Sequence, residues 1–122
     1  MIKGIGTDII EVSRIENSMK NPRFLEKNFT DAENEYFLKK GLNPQSVAAC
    51  FAAKEAFSKA IGTGISGFSL KDIEVLHNEC GAPYIMVYEN AKKALSNGKI
   101  HLSLSHSKEY ATAMVVIEED IR

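Results

Sequence analysis

Phe51-Ala52-Ala53-Lys54-Glu55-Ala56-Phe57-Ser58-Lys59-Ala60-Ile61-Gly62-Thr63-Gly64 is the stretch on which the reading of this chain turns. It predicts an apolar helix that ends in a glycine-bracketed turn, with Gly62 supplying a left-handed cap. Phe51, Glu55 and Lys59 recur every fourth residue and so share one helical face. A helix that reads as buried seldom sets a carboxylate and an ammonium beside Phe and Ala unless something polar lies opposite.

Upstream, Asn43-Pro44 offers the start of this helix, Pro being suited to a first helical turn. Thr30 followed by Glu33 has the form of a capping box, so a helix is expected from Asp31 through Tyr36 and Phe37 to Lys40, stopping at Gly41. A break at Asn21-Pro22 precedes a short helical piece at Arg23-Phe24-Leu25. Val12, Ile15 and Met19 carry helical spacing over Glu11 to Met19. Ile2 to Ile10 reads as a strand, rich in glycine at its start, with Asp8 near its end.

Downstream the period changes. Ile73 and Val75 alternate with Asp72 and Glu74, Cys80 to Pro83 form a turn, and Tyr84 to Tyr88 favour a strand. Glu89 to Asn97 suit a short helix ended by Gly98. Ile100, Leu102 and Leu104 then alternate with His101, Ser103 and Ser105. Ala111 to Ile117 return, with Ser107-Lys108-Glu109 as the hairpin connection. Helices come mostly first and strands mostly last. The fold expected is therefore α+β: a single domain over residues 1–122, helices packed on a mainly antiparallel sheet.

The bulk numbers narrow the function. With 122 residues, 44% of them hydrophobic and 25% charged, the chain has the make-up of one globular domain. A net charge of −1 argues against a general nucleic-acid binder. The opening residues do not resemble a signal peptide, and no stretch approaches a membrane span. Cys50 and Cys80 have no metal-ligand or disulfide pattern and read as free thiols in a reducing compartment, the cytoplasm.

Asp8 and Glu55 are the pair with most chemical promise. Magnesium takes oxygen ligands, keeps several waters, and is typically held by one or two carboxylates plus substrate phosphates. Taken alone, the two are as readily solvated surface groups. Lys59 is either an ordinary helix-surface ion pair with Glu55 or a cation set against phosphate charge. Lys54 has a solvated or structural role on one reading and a phosphate contact on the other. Gly62-Thr63-Gly64 caps the helix or lets backbone approach a ligand. Ser105, His106 and Ser107 end a strand, either as a polar face meeting a turn or as donors for phosphate oxygens. His77 and His101 read as structural or exposed. Arg14, Arg23 and Lys27 lie among acids, a solvated face or a docking site for an acidic partner.

Three blocks in this order, Gly4 to Ile15, Phe51 to Gly64 and Ser103 to Val116, resemble the holo-acyl-carrier-protein synthases, the small bacterial 4′-phosphopantetheinyl transferases. The resemblance implies a Mg²⁺-dependent enzyme, Mn²⁺ being an alternative, with coenzyme A as co-substrate and acyl carrier protein as partner, in fatty acid biosynthesis. It implies Asp8 and Glu55 as metal ligands, with Lys59 beside the coenzyme A diphosphate. Gly62, Thr63 and Gly64 would contact the nucleotide, Ser105, His106 and Ser107 would face coenzyme A, and Arg14 and Arg23 would meet the acidic helix of the carrier. It also implies a homotrimer with active sites shared between neighbours. One position departs: many members carry Arg where this chain has Cys50, which removes one charge-assisted contact to coenzyme A, worth about 1.5–3 kcal/mol. Two other classes remain open, a binding module without catalysis and a Mg²⁺-dependent hydrolase.

Overall fold

Alternation along one strand sets the frame of the molecule. In the computed structural model, which describes residues 1–62 and 67–120, β1 runs from Ile2–Glu11. Its even-numbered residues Gly4, Gly6, Asp8 and Ile10 turn to one side, while Ile5, Thr7 and Ile9 are exposed on the other. A helix lies directly on the even side. A Cβ at Gly4 would overlap the carbonyl oxygen of Ala60, and one at Gly6 that of Ala56. These glycines are there because the helix backbone leaves no room for a side chain.

That helix is the fourth. α1 spans Val12–Ser18, α2 Arg23–Asn28, α3 Asp31–Lys39 and α4 Pro44–Ile61. α4 begins as the sequence predicts, with Asn43 Oδ1 accepting from Gln45 N at 2.8 Å and Pro44 in the first turn. It ends at Gly62, whose φ of 91° is the left-handed cap. The capping box at Thr30 and Glu33 is present in both directions, at 3.2 and 2.9 Å. α2 extends to Asn28, beyond the short piece expected from Arg23 to Leu25.

A 3₁₀ turn at Leu70–Asp72 leads into β2 (Ile73–His77), β3 (Pro83–Val87), α5 (Glu89–Leu95), β4 (Lys99–His106) and β5 (Tyr110–Glu118). β1, β5 and β4 form a three-stranded antiparallel sheet in that order, and β2 and β3 a separate hairpin. The α+β architecture with antiparallel sheets is as expected. The end of α5 is not where Gly98 suggested: Ser96, at φ 55°, turns the chain. Gly98 serves packing instead, since a Cβ there would press on Ile117 Cγ2 at 2.7 Å.

α4 packs across the inward faces of β1 and β5, and its small residues allow the close approach. Ala52, Ala53, Ala56 and Phe57 are fully buried, with Ala113, Val115 and Ile117 of β5 below them. Phe29, Phe37 and Ile73 close the core on the far side of the helix. No helix among the described residues is long and apolar enough to cross a membrane.

Candidate functional site

Asp8 arrives at α4 because strand alternation puts it on the glycine side of β1, one rung beyond Gly6. Lys59, on the last full turn of α4, reaches down to it. Its ammonium stands 3.0 Å from Asp8 Oδ1 and 3.0 Å from the Thr7 carbonyl. The Asp8 side chain is 17% exposed and that of Lys59 54%, so the pair sits at a rim open to solvent. An ion pair this exposed adds little stability, about 0–1 kcal/mol.

Glu55 lies one helical turn before Lys59 and is half-buried. Its carboxyl is pushed up from the ordinary range, first by burial and next by the negative charge of Asp8. Lys59 and Arg14 pull it partly back. A carboxylate made harder to ionise by burial and by a neighbouring acid gains from a cation placed between the two. As a donor set, two hard oxygen groups suit Mg²⁺ or Mn²⁺. Among the described residues no third acid, His or Cys joins them.

The other expected residues divide. Gly62 caps α4 beside this rim, while Thr63 and Gly64 lie outside the described residues. Arg14 and Arg23 are exposed on α1 and α2, and Arg14 is near enough to act on Glu55. Ser105, His106 and Ser107 are elsewhere in the chain. His106 pairs with Ala111 and, across β5, follows Ile10 of β1; Asp8 belongs to the next rung, with Ala113 and Leu104. Two strand spacings, about 10 Å, separate them across the sheet. Ser105 projects to the opposite, open face. Ser107 stabilises the hairpin, its hydroxyl accepting from Tyr110 N at 3.2 Å. The single chain thus brings Asp8, Glu55 and Lys59 together but not the Ser105–Ser107 segment.

His106 instead lines a cavity of about 260 Å³ beside the first half of α4, with Cys50, Glu33, Tyr36 and His77 among its walls. His77 stacks on Tyr36 with ring centroids 4.1 Å apart. Its Nδ1 is buried without a hydrogen-bond partner among the described residues, and burial lowers its pKa. Cys50, read from the sequence as the position of a lost coenzyme A contact, points inward. Its thiol lies 3.1 Å from Glu33 Oε2 and is held well above the usual thiol range by burial and then by the Glu33 charge.

The sequence reading missed the polar centre behind this cavity. Lys54 takes the structural one of the roles left open for it, but with partners the sequence did not show. It is 0% exposed and pairs with Glu33 at 2.7 Å, and its ammonium also donates to the carbonyls of Leu70 and Asn28. Glu33 accepts in addition from Val75 N at 2.8 Å. The signal available was the run of small residues around Lys54, Ala52, Ala53 and Ala56, which placed its face inside.

Comparison with known proteins bears on this arrangement. A family model described as the 4′-phosphopantetheinyl transferase superfamily matches residues 4–115. The holo-[acyl-carrier-protein] synthase of Alkaliphilus metalliredigens is 52% identical over 120 residues, 95% of this chain and 98% of that protein. A solved structure of a holo-(acyl-carrier-protein) synthase from Bacillus anthracis in complex with CoA (3′,5′-ADP) superposes with a TM-score of 0.84. It is 42% identical, and the match covers 98% of this chain and 99% of that one. The holo-[acyl-carrier-protein] synthase of Neisseria meningitidis superposes with a TM-score of 0.90 at 36% identity, covering 98% and 100%. On sequence and fold alike, the chain belongs to the 4′-phosphopantetheinyl transferase superfamily, and within it to the holo-[acyl-carrier-protein] synthases, which are transferases.

Proposed function

We propose that this enzyme transfers 4′-phosphopantetheine from coenzyme A to a serine of apo acyl carrier protein. The products are holo acyl carrier protein and adenosine 3′,5′-bisphosphate. The observation that carries the reading is the meeting of Asp8, Glu55 and Lys59 on one open rim where β1 crosses α4. The relative from Bacillus anthracis with its bound CoA (3′,5′-ADP) supports coenzyme A as the donor.

The serine hydroxyl attacks the β-phosphorus of the coenzyme A diphosphate. A new P–O bond forms and the bridging P–O bond breaks, its oxygen leaving with adenosine 3′,5′-bisphosphate, while the serine proton passes to the Glu55 carboxylate or to water. Asp8 and Glu55 would hold Mg²⁺, or Mn²⁺ in its place. The ion would offset diphosphate charge that otherwise repels an oxygen nucleophile. Lys59, already aimed at Asp8, lies where its ammonium can turn to the departing phosphate and stabilise it. Gly62, Thr63 and Gly64 are the backbone against which the nucleotide would rest, and Arg14 and Arg23 the cations that meet the carrier.

The division of the site within one subunit supports a shared site in a homotrimer. Ile5, Ile9 and Met114 are exposed on the sheet face turned away from α4, an apolar surface suited to burial against a neighbour. In that assembly Ser105, His106 and Ser107 of one subunit would serve the rim of the next. A cytoplasmic setting and one domain over residues 1–122 agree with this reading.

Intact-mass spectrometry of an apo acyl carrier protein with coenzyme A and Mg²⁺ tests it. The expected result is gain of one phosphopantetheinyl group, abolished by a chelator and by Asp8→Ala or Glu55→Ala in folded enzyme. Undiminished transfer by either variant would remove the carboxylates from the mechanism. Light scattering that gives a monomer in active solution would remove the shared site.

A further inference from the structure

Lys54 uses all three of its N–H donors, on Glu33 Oε1 at 2.7 Å, the Leu70 carbonyl at 2.8 Å and the Asn28 carbonyl at 3.2 Å. Asn28 is the last residue of α2 and Leu70 the first of the 3₁₀ turn. One buried ammonium therefore fixes two surface segments, remote in sequence, against each other. Between them opens a groove of about 460 Å³ lined by Arg23, Glu26, Lys27 and Lys71. Three cations face one carboxylate there, and none of the three is ion-paired with a described residue.

Arg23 and Lys27 also line a second groove of about 300 Å³ that reaches Asn17 and Asn21 past the half-buried Phe24. They form a ridge common to both, so the cations of α2 and the 3₁₀ turn make one surface, with neutral Asn17 and Asn21 at its far edge. The whole chain carries a net charge of −1, so this charge is local rather than general. A nucleic acid would need a wider basic field. An open groove walled by long side chains suits the spread carboxylates of an acidic protein better than one compact anion.

We propose that Lys71 is a docking residue for the acidic carrier protein, and that the groove between α2 and the 3₁₀ turn receives an acidic segment of it. Resting on the transferase reading, this adds a bank of the docking surface that is distant in sequence from Arg14 and Arg23. Lys71 is exposed and takes no part in the core, so its variants fold. Its charge is not among those that bear on Glu55, which are Asp8, Lys59 and Arg14.

Steady-state loading with carrier and coenzyme A varied separately is the test. Lys71→Glu is expected to raise the KM for carrier about tenfold, to leave the KM for coenzyme A within about twofold, and to flatten the rise of carrier KM with salt. Lys93→Glu on α5 is the control and is expected to match wild type. A carrier KM unchanged in Lys71→Glu, with wild-type loading intact, overturns the docking assignment alone. Wild-type enzyme that loads no carrier overturns the activity and the docking assignment together. A rise in carrier KM equal in Lys93→Glu reduces the effect to net charge and also overturns it.

Discussion

Glu33 and Lys54, on helices α3 and α4, are joined at 2.7 Å with neither side chain exposed to water. The pair forms a node: through it α4 is bound to β2, the end of α2 and the 3₁₀ turn. Removing one member leaves the other charge buried and unpaired. Glu33→Ala or Lys54→Ala is expected to lower stability by about 3–5 kcal/mol, measured by urea unfolding. A loss below about 1 kcal/mol for both would mean that water replaces the missing partner.

Gly6, like Gly4, marks a close approach of β1 to the backbone of α4. Gly6→Ala drives a methyl group into the Ala56 carbonyl, and strand or helix must move. Because Asp8 is the next inward residue, the displacement passes to the candidate metal site. The expected outcome is a stability loss of about 1–3 kcal/mol with a fall in kcat larger than any change in carrier KM. Unchanged kcat in a destabilised variant would show that the strand yields elsewhere.

Glu55 gives a pH dependence of definite sign. Burial first, and Asp8 second, hold its folded-state pKa above the ordinary 4.5. Between 4.5 and the raised value the folded protein binds more protons than the unfolded chain, so this group makes stability fall as pH rises through that window. Glu55→Gln removes the effect. In chelator at pH 7 the variant is expected to melt above wild type, and added Mg²⁺ to raise the melting temperature of wild type only. Equal Mg²⁺ shifts in both proteins would exclude Glu55 as a ligand.

The two thiols are expected to differ sharply in reactivity. Cys80 is exposed, whereas Cys50 is buried, with its thiol held protonated by burial and by Glu33. An aromatic disulfide reagent should titrate one equivalent quickly in native enzyme and the second only on unfolding. Two fast equivalents would show that the cavity beside Cys50 opens readily.

Patterns carried by a single element were legible in the sequence. Alternation gave β4 and β5, the Thr30–Glu33 spacing gave a cap, and Asn43-Pro44 with Gly62 bounded α4. A structural role for Lys54 was one open reading, but its partners were not legible, being Glu33 from another helix and two carbonyls far along the chain. The position of His106 depended on strand order: only with β5 between β1 and β4 does it fall two strands from Asp8. Cys50 was read as the loss of one coenzyme A contact, and its inward direction follows from the turn of α4 that also buries Lys54.

The alternation of β1 also limits how its sequence can change. Odd residues form the open apolar face, and even residues supply the clearance for α4 and then Asp8. Deleting a single amino acid between Gly4 and Thr7 would exchange these duties along the strand: isoleucines would meet the helix backbone, and the carboxylate would face away from Lys59. Substitutions here can be absorbed one side at a time. Changes of length cannot, so this strand must evolve at fixed length.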